Sequence, residues 1–299
     1  MKKSFSKKMI VGVVLILLFV CCGCSSLIGG DKNVNNIIIN KTVEYEEVDI
    51  SSLQSGMQMA IEKAENSSIA ITHEEGVILT SSALGSGVVV KRTANLINPS
   101  LGEVSGNISS YTYYAVTNRH VILTTRNVVS STLVVYVDVK NPIENSPTSK
   151  AKVVAVSLDD DLALIEFTSP YYLGVAKLAD SSKLKKGAIV LAIGTPYSLE
   201  YFRSSTMGIV SSPLRPITEE VYEKSYANKY EVSGTKQMYF IQHDAAINGG
   251  NSGGGLFDIN GDLIGINTSK LVDESKSIEG MAFSIPSNTV YTKFAEYLK

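Results

Sequence analysis

Short runs of residues rich in Val, Ile, Thr and Tyr follow one another from residue 69 onward and are separated by turn residues. Such runs predict β-strands, and no helical pattern comes between them. Many short strands without intervening helices are typical of a sandwich or a barrel, so the expected fold class is all-β. The predicted strands are 87–91, 111–117, 132–139, 152–156, 162–167, 188–193, 207–210, 238–242, 255–258, 263–267 and 281–285.

Helical spacing marks one segment at each end of this β-rich region. Leu53, Met57, Ala60, Ile61 and Ala64 recur at the spacing of one helical face and predict a short helix that leads into the domain. At the other end, Ser287 is placed to cap a helix with Val290, Phe294, Tyr297 and Leu298 on one face. Two polar segments, 93–110 and 212–236, are predicted to be long loops.

The first residues have the features of an export signal. Four lysines precede an unbroken apolar run at 9–20, which is short for a membrane-spanning helix, and small residues follow around Gly23. All three cysteines, Cys21, Cys22 and Cys24, lie at the end of that run. The cluster resembles a bacterial lipoprotein signal, so we expect residues 1–23 to be a signal peptide and Cys24 to carry the lipid anchor. Residues 24–50 are then a tether, and an uncleaved signal anchor or plain secretion stays open as an alternative.

Composition excludes several classes of function. The formal net charge is -2 at pH 7, and four of the lysines lie in the export signal, so the phosphate neutralisation that nucleic-acid binding needs is not expected. Beyond Cys24 there is no cysteine, which excludes an internal disulfide, a cysteine nucleophile and Cys-bound zinc from the exported part. No ligand-type residues stand at a recognised metal spacing, so we expect neither a metal nor an organic cofactor.

The stretch 248–255, Asn-Gly-Gly-Asn-Ser-Gly-Gly-Gly, places five glycines around Ser252. Glycine-rich backbone adopts conformations that a Cβ forbids, or lets another group approach closely. Acyl transfer uses both properties, because it needs a hydroxyl on a tight turn and free N–H groups that hold an oxyanion. This stretch alone leaves open a glycine-rich turn with a bystander serine.

The order of residues along the chain separates two classes of hydrolase. Residues 250–254 match the G-x-S-x-G pattern of α/β-hydrolases, in which the histidine follows the serine. All histidines of this chain, His73, His120 and His243, precede Ser252. The order His120, Asp161, Ser252 is that of the chymotrypsin arrangement, with His120 after one predicted strand and Asp161 directly before another. Taken singly, a structural histidine and an acidic loop tip remain alternatives.

Four segments resemble the signatures of HtrA-type (Deg) proteases: TNRHVI, DDDLALI, IQHDAAINGGNSGGGLFDINGDLIGINTS and GMAFSIPSN, within a resemblance that runs from about 85 to 286. The resemblance implies a trypsin-like protease domain over 51–299, built as a double six-stranded β-barrel. The first barrel is expected at about 66–170, the second at 171–286 and a C-terminal helix at 287–299. It implies catalytic roles for His120 as general base, Asp161 as its orienting partner and Ser252 as nucleophile.

The resemblance also assigns the groups around the nucleophile. The backbone at Gly250, Asn251 and Ser252 is expected to form the oxyanion hole, with the N–H groups of Gly250 and Ser252 as donors. Substrate-binding residues are expected at Ile247, Ile266, Asn267 and Thr268. Because residues 245–247 carry no acid and strand 265–268 no histidine, we expect substrates with small or medium apolar side chains.

Three departures from the family pattern affect these expectations. Gly249 replaces the usual proline, which loosens the loop and predicts a poorly preformed oxyanion hole. His243 stands where the family has threonine, and we expect a structural role for it. The family commonly carries a PDZ domain after the protease domain, whereas this chain stops at its last predicted helix, so no such appendage is expected.

The expected function is that of a serine endopeptidase, a membrane-anchored extracytoplasmic lipoprotein that hydrolyses unfolded or damaged exported proteins. A catalytically silent relative that binds extended peptides in the same cleft is the alternative. The expected partners are polypeptide substrates and, through the lipid, a membrane. The sequence does not give the oligomeric state or the natural substrate.

Overall fold

The structure is a computed structural model and describes residues 50–73, 84–227, 229–268 and 280–299. The predicted signal peptide, tether and Cys24 anchor lie outside these residues. The described part of the chain forms twelve strands, two α-helices and five short 3₁₀-helices. None of these helices is long and apolar enough to cross a membrane.

The first six strands close into an antiparallel barrel in the order β1-β2-β3-β6-β5-β4. Its interior is filled by mostly aliphatic side chains, among them Ile69, Val89, Val135 and Ile165. β1 is a strand that the sequence pattern did not mark. The strands are β1 Ser68–Thr72, β2 Leu84–Leu96, β3 Ile108–Asn118, β4 Leu133–Tyr136, β5 Thr148–Ser157 and β6 Leu162–Ser169.

The other six strands close into a second barrel in the order β10-β11-β12-β9-β8-β7. The all-β, double six-stranded barrel expected from the sequence is therefore confirmed. The strands are β7 Ile189–Gly194, β8 Ser204–Lys224, β9 Tyr230–His243, β10 Gly255–Phe257, β11 Leu263–Thr268 and β12 Ala282–Pro286.

Two helices flank the barrels, α1 at Ile50–Glu65 and α2 at Ser287–Leu298, as the spacing of apolar residues predicts. Both bury small or apolar side chains in a core cluster that also contains residues of both barrels. The predicted cap at Ser287 is wrong: Pro286 is the N-cap, and the Ser287 hydroxyl donates to the carbonyl of Ala179 at 2.6 Å. The serine therefore ties α2 to the chain before β7 instead of capping the helix.

The predicted long loop at 212–236 is largely paired strand, so that prediction is wrong, whereas 93–110 is a loop over 97–107 with a strand at each end. Residues 93–96 continue β2 and pair with the start of β3, and residues 212–224 pair with 230–242 in a long β8–β9 hairpin. Most of the hairpin's side chains are exposed or half-buried, and it therefore lacks the apolar alternation that marks a half-buried strand. Its prolines lie around a register shift between Ser212 and Arg215, where a ladder tolerates them.

Candidate active site

His120 and Asp161 meet because β3 and β6 are neighbours in the first barrel. Asn118 at the end of β3 lies opposite Leu162 at the start of β6, so the residues that follow one strand and precede the other come together. His120 Nδ1 lies 2.7 Å from Asp161 Oδ2, and the His120 backbone N–H donates to Asp161 Oδ1 at 3.1 Å. The carboxylate thus fixes both the ring and its backbone.

The local backbone aims the Asp161 carboxylate at the histidine. Asp161 has a φ of 50°, a left-handed conformation that aspartate tolerates better than most residues. Its carbonyl accepts from the Arg119 N–H at 2.9 Å, which closes the turn onto the end of β3. A carboxylate at Nδ1 favours the tautomer with its proton on that nitrogen and leaves Nε2 available as a base.

Ser252 is buried in the turn before β10, where the second barrel touches the first. Its carbonyl accepts from the Ser86 N–H of β2 at 2.8 Å. A Cβ at Gly253, which has a φ of 84°, would lie 2.2 Å from Thr117 Oγ1, so only glycine permits this approach to β3. Because Thr117 lies three residues before His120, the serine turn packs against the strand that leads to the histidine.

The turn at 248–251 precedes the serine and has a defined shape. The Asn251 N–H donates to the Asn248 carbonyl at 3.0 Å, and Gly250, at the third position, has a φ of 98°. A positive φ there is the pattern of a type II turn, whose central peptide is flipped relative to that of a type I turn. The central peptide carries the Gly250 N–H. A Cβ on Gly250 would lie 2.3 Å from the Thr195 carbonyl, so glycine is required.

Ser86 is a site residue that sequence reasoning missed. It is fully buried, and its hydroxyl donates to the Gly250 carbonyl at 2.8 Å and accepts from the Thr195 N–H at 2.9 Å. Together with its backbone bond to Ser252, it holds the serine turn at two points. The available signal is its position in Gly85-Ser86-Gly87, since small residues in a strand mark a close approach of another segment.

Arg119 is a second residue that was missed, directly before His120. Its side chain is only 3% exposed, and a guanidinium nitrogen lies 3.9 Å from Asp161 Oδ1. The guanidinium also donates to the Leu158 carbonyl and lies over the ring of Tyr222, 3.9 Å from its centroid. No sequence signal distinguishes this arginine from an exposed one.

The four expected substrate-binding residues lie in the second barrel, in β11 and in the segment before the serine turn, but differ in how their side chains are used. Ile247 is half-buried against an apolar cluster of the second barrel. Ile266 and Asn267 are fully buried, and Asn267 donates to the Gly255 carbonyl at 2.9 Å. Any contact of these two residues with a substrate is therefore through the backbone. Thr268 is also buried, 3% exposed.

His243 lies in the interior of the second barrel. Its Nε2 is 3.0 Å from the Ser284 hydroxyl, which in turn donates to Asn267 Oδ1 at 2.8 Å. Burial lowers the pKa of His243 to about 4, against an opposing effect of the Asp244 charge. The imidazole is thus neutral at pH 7, in agreement with the structural role expected for it.

Comparison with known proteins identifies the class that this fold and site define. Residues 85–266 match the model of the trypsin-like peptidase domain, and the chain belongs to that family. It is 40% identical to the serine protease Do-like HtrA of Lactobacillus helveticus over 188 residues. These residues are 62% of this chain and 40% of that protein. It is 33% identical over 267 residues to the protein of the same name from Lactococcus lactis subsp. cremoris, covering 87% of this chain and 53% of the relative.

A further relative and a solved structure agree with this class. The chain is 38% identical over 178 residues to the periplasmic serine endoprotease DegP of Escherichia coli K12, covering 59% of this chain and 31% of DegP. A solved structure of the HtrA-type protease AlgW with a tripeptide superposes with a TM-score of 0.54 at 26% identity, covering 81% of this chain and 64% of that one. The HtrA resemblance seen in the sequence is confirmed, and the chain spans about half or less of these curated relatives.

Proposed function

We propose that the protein is a serine endopeptidase with His120, Asp161 and Ser252 as its catalytic triad. The observation that carries the proposal is the 2.7 Å contact of His120 Nδ1 with Asp161 Oδ2, on the barrel against which the Ser252 turn packs. Membership of the trypsin-like peptidase family and the HtrA-type relatives support it.

In the proposed reaction, Ser252 Oγ forms a bond to the carbonyl carbon of the scissile peptide while His120 accepts the hydroxyl proton. His120 then gives that proton to the departing amine, the C–N bond breaks, and Asp161 stabilises the imidazolium throughout. A water molecule then forms a bond to the acyl carbon while His120 takes its proton. The bond from that carbon to Ser252 Oγ breaks, His120 returns the proton to Oγ, and the acid product leaves.

The oxyanion of each tetrahedral intermediate is proposed to bind the N–H groups of Gly250 and Ser252, on either side of Asn251. Support comes from the positive φ of Gly250, which is the type II turn pattern and flips the peptide that carries its N–H relative to a type I turn. Loss of one such donor typically lowers turnover by about 10²–10³. The shape of this turn is therefore expected to decide whether the enzyme is active.

The proposed substrates are unfolded or damaged exported polypeptides, cleaved after small or medium apolar side chains. Two observations support this class: residues 245–247 bring no acidic side chain to the serine loop, and the relatives include periplasmic proteases. A peptide-library profile dominated by cleavage after Glu or Lys would overturn the side-chain preference.

We place the protein outside the cytoplasm, attached to the membrane by lipid on Cys24. The support is the clustering of every cysteine at the end of an apolar run that follows four lysines. In cells fed radiolabelled fatty acid, the chain should carry label and Cys24→Ala should not. Equal labelling of the parent and Cys24→Ala would contradict lipid attachment at Cys24.

Hydrolysis of unfolded casein tests the endopeptidase directly. The chain should release peptides, Ser252→Ala should release none, and Ser100→Ala, which changes an exposed loop serine, should match the parent. If the parent binds casein-derived peptides without cleaving them, the silent peptide-binding alternative replaces the proposed activity.

A further inference from the structure

A buried positive charge lies beside the proposed catalytic aspartate. The Arg119 side chain is 3% exposed, and its nearest carboxylate oxygen is Asp161 Oδ1 at 3.9 Å. One guanidinium nitrogen donates to the Leu158 carbonyl, while Nε is buried with no hydrogen-bond partner among the described residues. A buried guanidinium with incomplete hydrogen bonding needs further compensation from its surroundings.

The second barrel supplies that compensation. Tyr222, near the end of the β8–β9 hairpin, places its ring face 3.9 Å from the centre of the Arg119 guanidinium. An aromatic face attracts a cation, and the attraction is stronger where water is excluded. The guanidinium of Arg119 thus contacts both the ring of Tyr222 and the carboxylate of Asp161.

Backbone hydrogen bonds dock this part of the hairpin on the first barrel. The Tyr222 N–H donates to the Leu158 carbonyl at 3.3 Å, and that carbonyl also receives the Arg119 guanidinium. On the partner strand, the buried Tyr230 donates its N–H to the Asn127 carbonyl at 2.9 Å. The ring over Arg119 is therefore held by contacts made by both strands of the hairpin.

We propose that Arg119 and Tyr222 are positioning residues that hold the Asp161 carboxylate in its orientation toward His120. The proposal rests on the triad proposed above and adds a dependence on the hairpin of the second barrel. With the ring in place, the guanidinium stays beside Asp161. Without it, the buried arginine turns toward water, the carboxylate loses a neighbour, and the histidine is aligned in fewer molecules.

Substitutions at Tyr222 test this dependence. Tyr222→Leu removes the π face and keeps apolar cover, whereas Tyr222→Phe keeps the face and loses only the hydroxyl that donates to Glu220 at 2.7 Å. Tyr226→Ala is the matched control, since that tyrosine is fully exposed on the same hairpin. The kcat and KM of a peptide substrate are measured for each 299-residue chain, with competent sites counted by a fluorophosphonate titration.

The expected result is a kcat about 3- to 30-fold lower for Tyr222→Leu with little change in KM, because the ring is proposed to act on Asp161 through Arg119. Tyr222→Phe and Tyr226→Ala should remain within about twofold of the parent. Counting sites keeps misfolded molecules out of the comparison. Equal kcat values for Tyr222→Leu and Tyr222→Phe, or a change confined to KM, would overturn the positioning role.

The result also separates this inference from the proposed function. If the parent has no activity that depends on Ser252, the endopeptidase itself is wrong. If the parent is active and Tyr222→Leu has the same kcat, the proposed endopeptidase activity stands and only the positioning role of the hairpin is wrong. A fall in kcat that occurs in Tyr222→Leu and not in Tyr222→Phe supports both the endopeptidase activity and the positioning role.

Discussion

The hydroxyl of Ser86, in the first barrel, donates a 2.8 Å hydrogen bond to the carbonyl of Gly250, in the serine turn of the second barrel. The same hydroxyl accepts from the Thr195 N–H, so one buried side chain joins three segments. The shape of the turn that precedes Ser252 therefore depends on the docking of the two barrels. The proposed activity, as well as the stability of the fold, therefore requires the two barrels to dock correctly.

Ser86→Ala is expected to lower both stability and turnover. It leaves the Gly250 carbonyl and the Thr195 N–H buried without this partner, which typically costs about 1–3 kcal/mol. Urea unfolding and kcat measure the two effects. The matched control is Ser67→Ala, a buried serine that donates to the Ala64 carbonyl at 2.9 Å, and it should lose stability only. If both variants keep full kcat, Ser86 is merely structural.

Gly250→Ala is expected to abolish most activity. The substitution introduces a Cβ 2.3 Å from the Thr195 carbonyl at a φ of 98°, so the turn must change shape and the Gly250 N–H moves away. We expect kcat to fall by at least about 10², the effect of losing one oxyanion donor. Gly249→Ala is the control, because no atom lies within 4 Å of its added Cβ. Similar activity in the two variants would contradict the oxyanion role.

Asp161→Asn is expected to lower kcat by about 10⁴, because an amide in place of the carboxylate favours the wrong histidine tautomer. Asp160→Asn is the control. Its carboxylate accepts from the Ser157 hydroxyl at 2.8 Å and pairs with Lys293 at 2.7 Å, so it is engaged away from the histidine. Steady-state kinetics of the two variants decides which aspartate of the DDD run is catalytic. Equal losses would leave Asp161 without a special role.

The buried His243 predicts how stability changes in acid. Its pKa is about 4 in the folded protein and 6.5 in the unfolded chain, so the unfolded state binds more protons between those values. The stability contributed by the neutral ring is fully present above pH 6.5 and is lost as pH falls toward 4, by on the order of 3 kcal/mol. Urea unfolding at several pH values should show the parent losing its advantage over His243→Gln across this window. A constant difference would show that His243 does not titrate this way.

The sequence predicts the all-β class and most strands, because their short runs rich in Val, Ile, Thr and Tyr are separated by turn residues. It does not predict the long β8–β9 hairpin, since a ribbon with mostly exposed or half-buried side chains has no apolar alternation. For the site, the glycines around Ser252 and the residue order identify the candidates. Ser86 and Arg119 were missed because their contacts, with Gly250 and Tyr222, join segments more than about a hundred residues apart that meet only in the folded molecule.

Covalent labelling by a fluorophosphonate, with the modified residue located by mass spectrometry, tests the triad most directly. The account predicts a single adduct on Ser252 in the parent chain and at least about a thousandfold slower labelling in His120→Ala. Labelling of His120→Ala at the parent's rate, or an adduct on a different serine, would contradict it.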